Sequence, residues 1–409
     1  MSAASLSLEC IDDNDPSHHE FGCGGDLRGQ SMDFNLSREQ TDIQKAAQEF
    51  ARGEFNPELV LEYDRKQEFP LPVWKKACEL GFAGLHYPEE YGGQGLGILE
   101  NALVAETFCR QDSGMGCALA LSDFGSEIVL QNGTGNQKKK ILESLAAGKG
   151  LMTLAWMEEG YSPRTFSTTA KRREGGFLIE GRKSYVPLAE LSRFFIVLCQ
   201  TGDDGEQGQT ALLLEGDAQG KDVSVRREKL GMRMVPMNDV RFRLQVPAED
   251  LIGGEREGGR ALESFLNAIR VECGAMGVGI AQGALDRAIE YSKRREQFGR
   301  PIAAFEVIRN RLSDMFVSVV MARHILYHAA LSMDQGKPEQ RLILMTKRAA
   351  CRAALEVANS ALQIHGGYGY MTEGQIEHFY RDAKALDLFT EPGSRQRNLL
   401  AEEITSWRS

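Results

Sequence analysis

The chain has 409 residues, more than one simple core usually organises, so two or three domains or one large layered unit are expected. A hydrophobic share of 42% with 26% charged residues fits an ordinary globular enzyme and excludes wholesale disorder. The formal charge of -10, from 48 basic and 58 acidic residues, argues against a nucleic-acid or anionic-membrane binder, which needs a dominant basic surface.

Residues 1–31 are rich in Asp, Gly and Ser without an apolar period and read as a tail, with no basic-then-apolar secretory signal. From Ser37 the pattern is helical: Glu39 and Gln40 follow as capping partners, and Ile43, Ala46, Ala47, Phe50 and Ala51 recur at three-to-four spacing. Further helices are expected around Pro72–Leu80, Leu99–Phe108, Met115–Gln131 and Gln137–Ala147. They make an N-terminal helical domain over 32–150. Over 151–255 the period changes to two, with strands expected at Met152–Met157, Phe177–Val186, Phe194–Thr201, Thr210–Leu214 and Val240–Leu244, a small sandwich or barrel. Over 256–409 long amphipathic helices return, among them the stripe Leu262, Phe265, Ile269, Cys273, Met276 and Ile280 and the stretches Phe305–Met333 and Glu339–Leu362. The fold class is therefore α+β, a small β domain between an N-terminal helical domain and a C-terminal four-helix bundle whose flanks call for an oligomer.

The eight cysteines are scattered, with no Cys-x-x-Cys pair and no histidine at ligand spacing, so no metal is expected and the reducing cytoplasm is the expected compartment. No run of about 18 apolar residues offers a membrane span.

Four stretches say more. Tyr87-Pro88-Glu89-Glu90-Tyr91-Gly92-Gly93 precedes a helix, Arg295-Glu296-Gln297-Phe298-Gly299-Arg300 ends one, Gln363-Ile364-His365-Gly366-Gly367-Tyr368-Gly369-Tyr370 ends another, and Arg381-Asp382-Ala383 follows. In this order they resemble the acyl-CoA dehydrogenase superfamily over residues 32–405. The resemblance implies FAD in a cleft between the β domain and the C-terminal helices, and an acyl-CoA substrate held between flavin and a carboxylate base. The base removes a proton beside the thioester while flavin N5 accepts a hydride from the neighbouring carbon. It also implies homotetramers sharing each flavin between two subunits, and an electron-transfer flavoprotein as acceptor. Arg295 would pair with the diphosphate, Phe298 would pack on the cofactor, and Gln363, Gly366 and Gly367 would let backbone approach it. Trp156 and Tyr185 would border the flavin on its own subunit, and Arg270 and Tyr368 the substrate. Each has a plainer reading, as a solvated helix charge, a core aromatic or a helix C-cap.

Several positions depart from the family pattern. Where members carry Thr-Glu-Pro followed by Gly-Ser-Asp, this chain has Met157-Glu158-Glu159-Gly160-Tyr161-Ser162-Pro163, so Met157 replaces a threonine and the serine is Pro163 or a shifted Ser162. The stretch Lys-x-Trp-Ile-Thr becomes Lys183-Ser184-Tyr185-Val186-Pro187, and Pro187 has neither hydroxyl nor amide donor. The usual glutamate base falls on Thr390, with Glu391 one residue later as an alternative. A second family location for the base, just before Arg270, holds Ile269. Glu272 lies near the apolar stripe, either as an odd buried acid or in a salt bridge with Arg270. Asp123 interrupts a segment that lines the acyl pocket in the family; it caps the helix beginning near Gly125, or it is chemically employed.

An acid at Asp123 together with loss of the glutamate resembles the branch acting on alicyclic thioesters, including cyclohexane- and cyclohexenecarboxyl-CoA. There an aspartate further along the ring permits a 1,4-elimination. The resemblance implies FAD-dependent oxidation of a cyclic or bulky acyl-CoA. The alternatives are a supporting subunit of a heteromeric dehydrogenase, such as a heterotetramer, that lends Arg295, Phe298 and Gln363 to a neighbour's flavin, and a non-oxidative acyl-CoA lyase or decarboxylase.

Overall fold

The computed structural model describes residues 35–160, 165–202 and 205–406, so the tail reading and Ser162 lie outside the described residues. Seven helices come first: α1 (Arg38–Glu54), α2 (Pro57–Lys66), α3 (Leu71–Glu79), α4 (Ile98–Gln111), α5 (Ser113–Ala120), α6 (Ser126–Asn132) and α7 (Gly135–Ala146). Their starts follow local chemistry. Asn56 accepts amides of Glu58 and Leu59 ahead of Pro57, Asp112 accepts the Met115 amide, and Thr134 with Gln137 forms a capping box.

The single helix expected over Met115–Gln131 is broken. Gly125 has φ 103°, and a Cβ there would stand 2.9 Å from Leu154 Cβ, so only glycine fits the turn. The break leaves Asp123 on a short bridge to Met152 between α5 and α6.

The strands are β1 (Leu151–Ala155), β2 (Thr169–Arg173), β3 (Gly176–Pro187), β4 (Ser192–Gln200), β5 (Gln209–Glu215), β6 (Lys221–Val223), β7 (Met237–Pro247) and β8 (Leu251–Ile252). They form one mixed sheet of order β6-β7-β3-β2-β4-β5-β8, with β1 parallel to β4. Its core holds Phe177, Ile179, Phe195, Val197, Leu212 and Phe242. β2, β6 and β8 were not expected from the alternation: β2 is mostly exposed and charged, and the other two are only three and two residues long. β3 shifts register between Lys183 and Val186, and Tyr185 takes φ 57° there.

The C-terminal helices are α8 (Gly258–Arg294), α9 (Glu306–Asp334), α10 (Gln340–His365), α11 (Ile376–Leu388) and α12 (Gly393–Thr405), with a small hairpin of β9 (Glu296–Gln297) and β10 (Arg300–Pro301) after α8. α8 is buried along most of its length between α4 and α10. Among the described residues α9 is long and apolar enough to cross a membrane, with mean hydropathy 1.3, but it packs on α4, α8 and α10. It leaves Phe316, Val317 and Met321 exposed. The fold is α+β, with a central β domain between two helical parts.

Candidate functional site

An apolar cavity of about 350 Å³ lies between the sheet and the C-terminal helices. Trp156, Met157, Tyr185 and Pro187 line it from the sheet, Leu388, Phe389 and Thr390 from the end of α11, Lys229 and Met232 from the loop between β6 and β7, and Met237 from the start of β7. The structure thus brings five sequence-selected residues together: Trp156, Met157, Tyr185, Pro187 and Thr390.

Their placement is built locally. Buried Lys183 donates to the Trp156 carbonyl (3.2 Å) and to Glu158 (2.8 Å), while Glu158 also accepts the Ser167 and Thr168 amides. Burial would raise the Glu158 carboxyl, but Lys183 and these donors hold it down to about 2. Thr153 donates to the Pro187 carbonyl at 2.6 Å. The β6–β7 loop was missed in the sequence because it has no period. A signal did exist in Asp382, an acid inside an apolar helix face: it accepts the Met232 amide and the Ser113 hydroxyl, both at 2.6 Å. At Gly231 a Cβ would stand 2.1 Å from the Arg381 carbonyl oxygen, so glycine allows this approach.

Thr390 has φ 63°, unusual for a β-branched residue. Its hydroxyl donates to the Phe389 carbonyl (2.7 Å) and accepts from buried Lys347 (3.2 Å). Glu391 does not line the cavity. Fully buried, it takes a bidentate pair from fully buried Arg270, both contacts 2.9 Å, and Arg395 adds a third at 3.1 Å. Burial would raise its carboxyl, but the Arg270 hydrogen bonds and charge keep it below the ordinary range. Arg270 also contacts Asn267 (2.7 Å) and Glu263 (3.3 Å), so its partner is Glu391 rather than Glu272.

Asp123 and Glu272 meet behind Phe124. Both line two small pockets of about 40 and 50 Å³, and Phe124 belongs to the second of these as well as to the apolar cavity. Phe124 stacks edge-on to Phe265, with centroids 5.0 Å apart, and tilts on Phe389 at 5.5 Å. Asp123 accepts the Tyr87 hydroxyl and, at 3.3 Å, that of Ser126. Gly125 is the residue preceding α6 and no side chain caps that helix, so the expected capping role of Asp123 is replaced by these hydroxyl contacts. Glu272 accepts from Asn101 at 2.9 Å, and His86 pairs with Glu127 at 2.5 Å. Burial raises the Asp123 carboxyl, against the His86 charge; burial and the Asp123 charge push Glu272 up to about 8.

A second cleft, about 450 Å³, opens where α8 and α10 end. Arg295, Gly366, Gly367 and Tyr368 line it, and the Arg295 guanidinium lies 5.8 Å over the Tyr368 ring. Gly366 takes φ 60°, and a Cβ on Gly366 or Gly367 would meet open space. Gln363 is exposed and its carbonyl accepts the Gly366 amide, while Phe298, at the tip of the β9–β10 hairpin, is 93% exposed. The two clefts suit different parts of a dinucleotide cofactor: the apolar cavity suits a flat ring, and the open glycine backbone beside Arg295 suits an anionic diphosphate.

Comparison with known proteins agrees with this geometry. The acyl-CoA dehydrogenase N-terminal, middle and C-terminal domains match residues 37–149, 154–244 and 256–405. Probable acyl-CoA dehydrogenase YngJ of Bacillus subtilis is 33% identical over 384 residues, spanning 91% of this chain and 100% of that protein. The structure of butyryl-CoA dehydrogenase from Megasphaera elsdenii is similar with TM-score 0.87 and 30% identity, covering 91% of this chain and 100% of its own. The FAD complex of PigA is similar with TM-score 0.86 and 27% identity, covering 91% and 99%. With the three domains matched in order along the chain, the chain belongs to the acyl-CoA dehydrogenase family and its cofactor is FAD.

Proposed function

We propose that this family member oxidises a cyclic or otherwise bulky acyl-CoA thioester, with Asp123 as the base. One observation carries the reading: among the described residues the wall of the apolar cavity holds no carboxylate, while Phe124 lines both that cavity and the pocket containing Asp123. A bulky acyl ring that displaces Phe124 brings a carbon remote from the thioester to Asp123. Conjugation through a ring double bond acidifies a proton there. Tyr87 and Ser126 orient the carboxylate, and beside it burial and the Asp123 charge raise the Glu272 carboxyl to about 8. FAD, when bound, supplies the acceptor for the hydride.

In this reading Trp156, Met157, Tyr185 and Pro187 border the flavin ring, and Arg295, Phe298, Gln363, Gly366 and Gly367 reach the cofactor of a neighbouring subunit. The exposed apolar residues of α9 support a homotetramer assembled as a dimer of dimers. Tyr368 serves the outer cleft beside Arg295, and Arg270, through Glu391, supports the wall behind Thr390. A cleft lined by Arg256, Arg260 and Arg395 suits the phosphates of CoA. An electron-transfer flavoprotein takes the electrons, and the six buried free thiols among the described residues suit the cytoplasm.

The test is flavin content together with bleaching. One flavin per chain, bleached by a cyclohexane- or cyclohexenecarboxyl-CoA faster than by butyryl-CoA, is the expected result; faster bleaching by butyryl-CoA overturns it. Arg295→Ala is expected to lower flavin retention after gel filtration roughly tenfold, because the diphosphate loses a charge-assisted partner. Retention equal to wild type removes Arg295 from the site.

The same carboxylate-free wall favours a second reading, a supporting subunit that lends its outer cleft to a partner. It is distinguished by a chain that purifies without flavin and restores activity only to a co-encoded homologue.

A further inference from the structure

The loop between β6 and β7 carries four closely spaced cations, and three of them are paired. Arg226 bonds Glu190, Arg227 bonds Asp239 at 2.6 Å, and Arg233 reaches Asp64 at 3.3 Å. Lys229 is different: its ammonium makes no hydrogen bond or ion pair among the described residues, and the side chain lines the apolar cavity beside Trp156, Met157 and Tyr185. Its acidic neighbour Asp382 is already committed to the Met232 amide and the Ser113 hydroxyl. The cavity's other ammonium, on Lys384, has Asp387 at 3.4 Å.

A partly buried charge without a partner is costly, so a fold that keeps one there gains when a ligand supplies the opposite charge. Burial pulls the Lys229 ammonium down to about 8; Asp382 and Asp64 act to raise it, and Arg233 and Arg226 to lower it further. At pH 7 it remains protonated. No carboxylate on the cavity wall competes for it. The ring that the cavity holds is close to neutral when oxidised and gains negative charge when it accepts a hydride, so a fixed cation on the wall acts differentially on the two states.

We propose that Lys229 is the cation that stabilises the negative charge acquired by the flavin on reduction, and so raises its midpoint potential. This rests on the proposed placement of the flavin ring in the apolar cavity, and is independent of the acyl group and of Asp123.

The experiment is a dye-equilibrium measurement of midpoint potential at pH 7 on FAD-loaded wild type, Lys229→Met, Lys229→Gln and Lys229→Arg. The two neutral variants are expected to lower the reduced-to-oxidised ratio at fixed potential about tenfold, ~30 mV for a two-electron couple. Lys229→Arg should stay within about threefold of wild type. For any variant that loses flavin on purification, titration with free oxidised and free reduced FAD reads the same quantity. The neutral variants should weaken binding of the reduced form about tenfold more than that of the oxidised form. Equal weakening of both forms, or neutral variants with the wild-type potential, overturns the proposal.

Discussion

Asp123→Asn is expected to slow flavin bleaching by a cyclic acyl-CoA by ~100- to 10,000-fold, the usual contribution of a general base, while thioester binding stays nearly unchanged. Asn keeps the size of the side chain and can still accept the Tyr87 and Ser126 hydroxyls, so the pocket behind Phe124 should keep its shape. What it loses is the site for the abstracted proton. Because burial raises the Asp123 carboxyl, the wild-type rate should climb with pH through that elevated value, and the limb should vanish in the variant. A companion, Phe124→Ala, removes the ring between cavity and acid pocket and should widen access for bulky acyl groups. Stopped-flow bleaching with a thermal-melt control reads all of this, and an unchanged rate in Asp123→Asn would sink the assignment.

Glu391→Ala should destabilise the fold by about 3 kcal/mol, near the lower end for removing one partner of a buried ion pair, because Arg270 keeps Asn267 and Glu263. Urea unfolding followed by far-UV circular dichroism measures it; a loss under about 1 kcal/mol would show that the pair is dispensable. The pH dependence has a definite sign. The folded-state carboxyl of Glu391 is depressed, so its contribution is present above the ordinary carboxylate value and lost as pH falls through the lower folded value. The gentler Glu391→Gln should keep flavin reduction within a few fold. Abolished reduction with intact substrate binding would instead make Glu391 the base.

The residues lining the apolar cavity differ in how far they could be read from the chain. Trp156 and Met157 follow the end of β1 and Tyr185 and Pro187 close β3, and it was resemblance to the family's motifs that grouped them. Phe124, Lys229, Met232 and Met237 reach the same cavity through loops and contacts between elements distant in sequence, which no local pattern encodes. Asp123 stood out as an acid among apolar residues, but its partner Tyr87 and its pocket neighbours Asn101 and Glu272 sit on three other segments. The spacing that left Thr390 or Glu391 open as base could not show that Arg270, more than a hundred residues earlier, takes both Glu391 oxygens.

By itself the sequence determined the order of helical, β and helical parts, most of the long helices and the family, because amphipathic period and turn chemistry are local properties of the chain. Tertiary structure alone decided which charges are spent on one another and which remain for a ligand. Arg270 is consumed by Glu391, while Lys229 lines the cavity with no hydrogen bond or ion pair to its ammonium among the described residues. The reason is physical: a charge's partner, burial and proton affinity depend on what packing brings within a few ångströms, and sequence separation does not limit that distance.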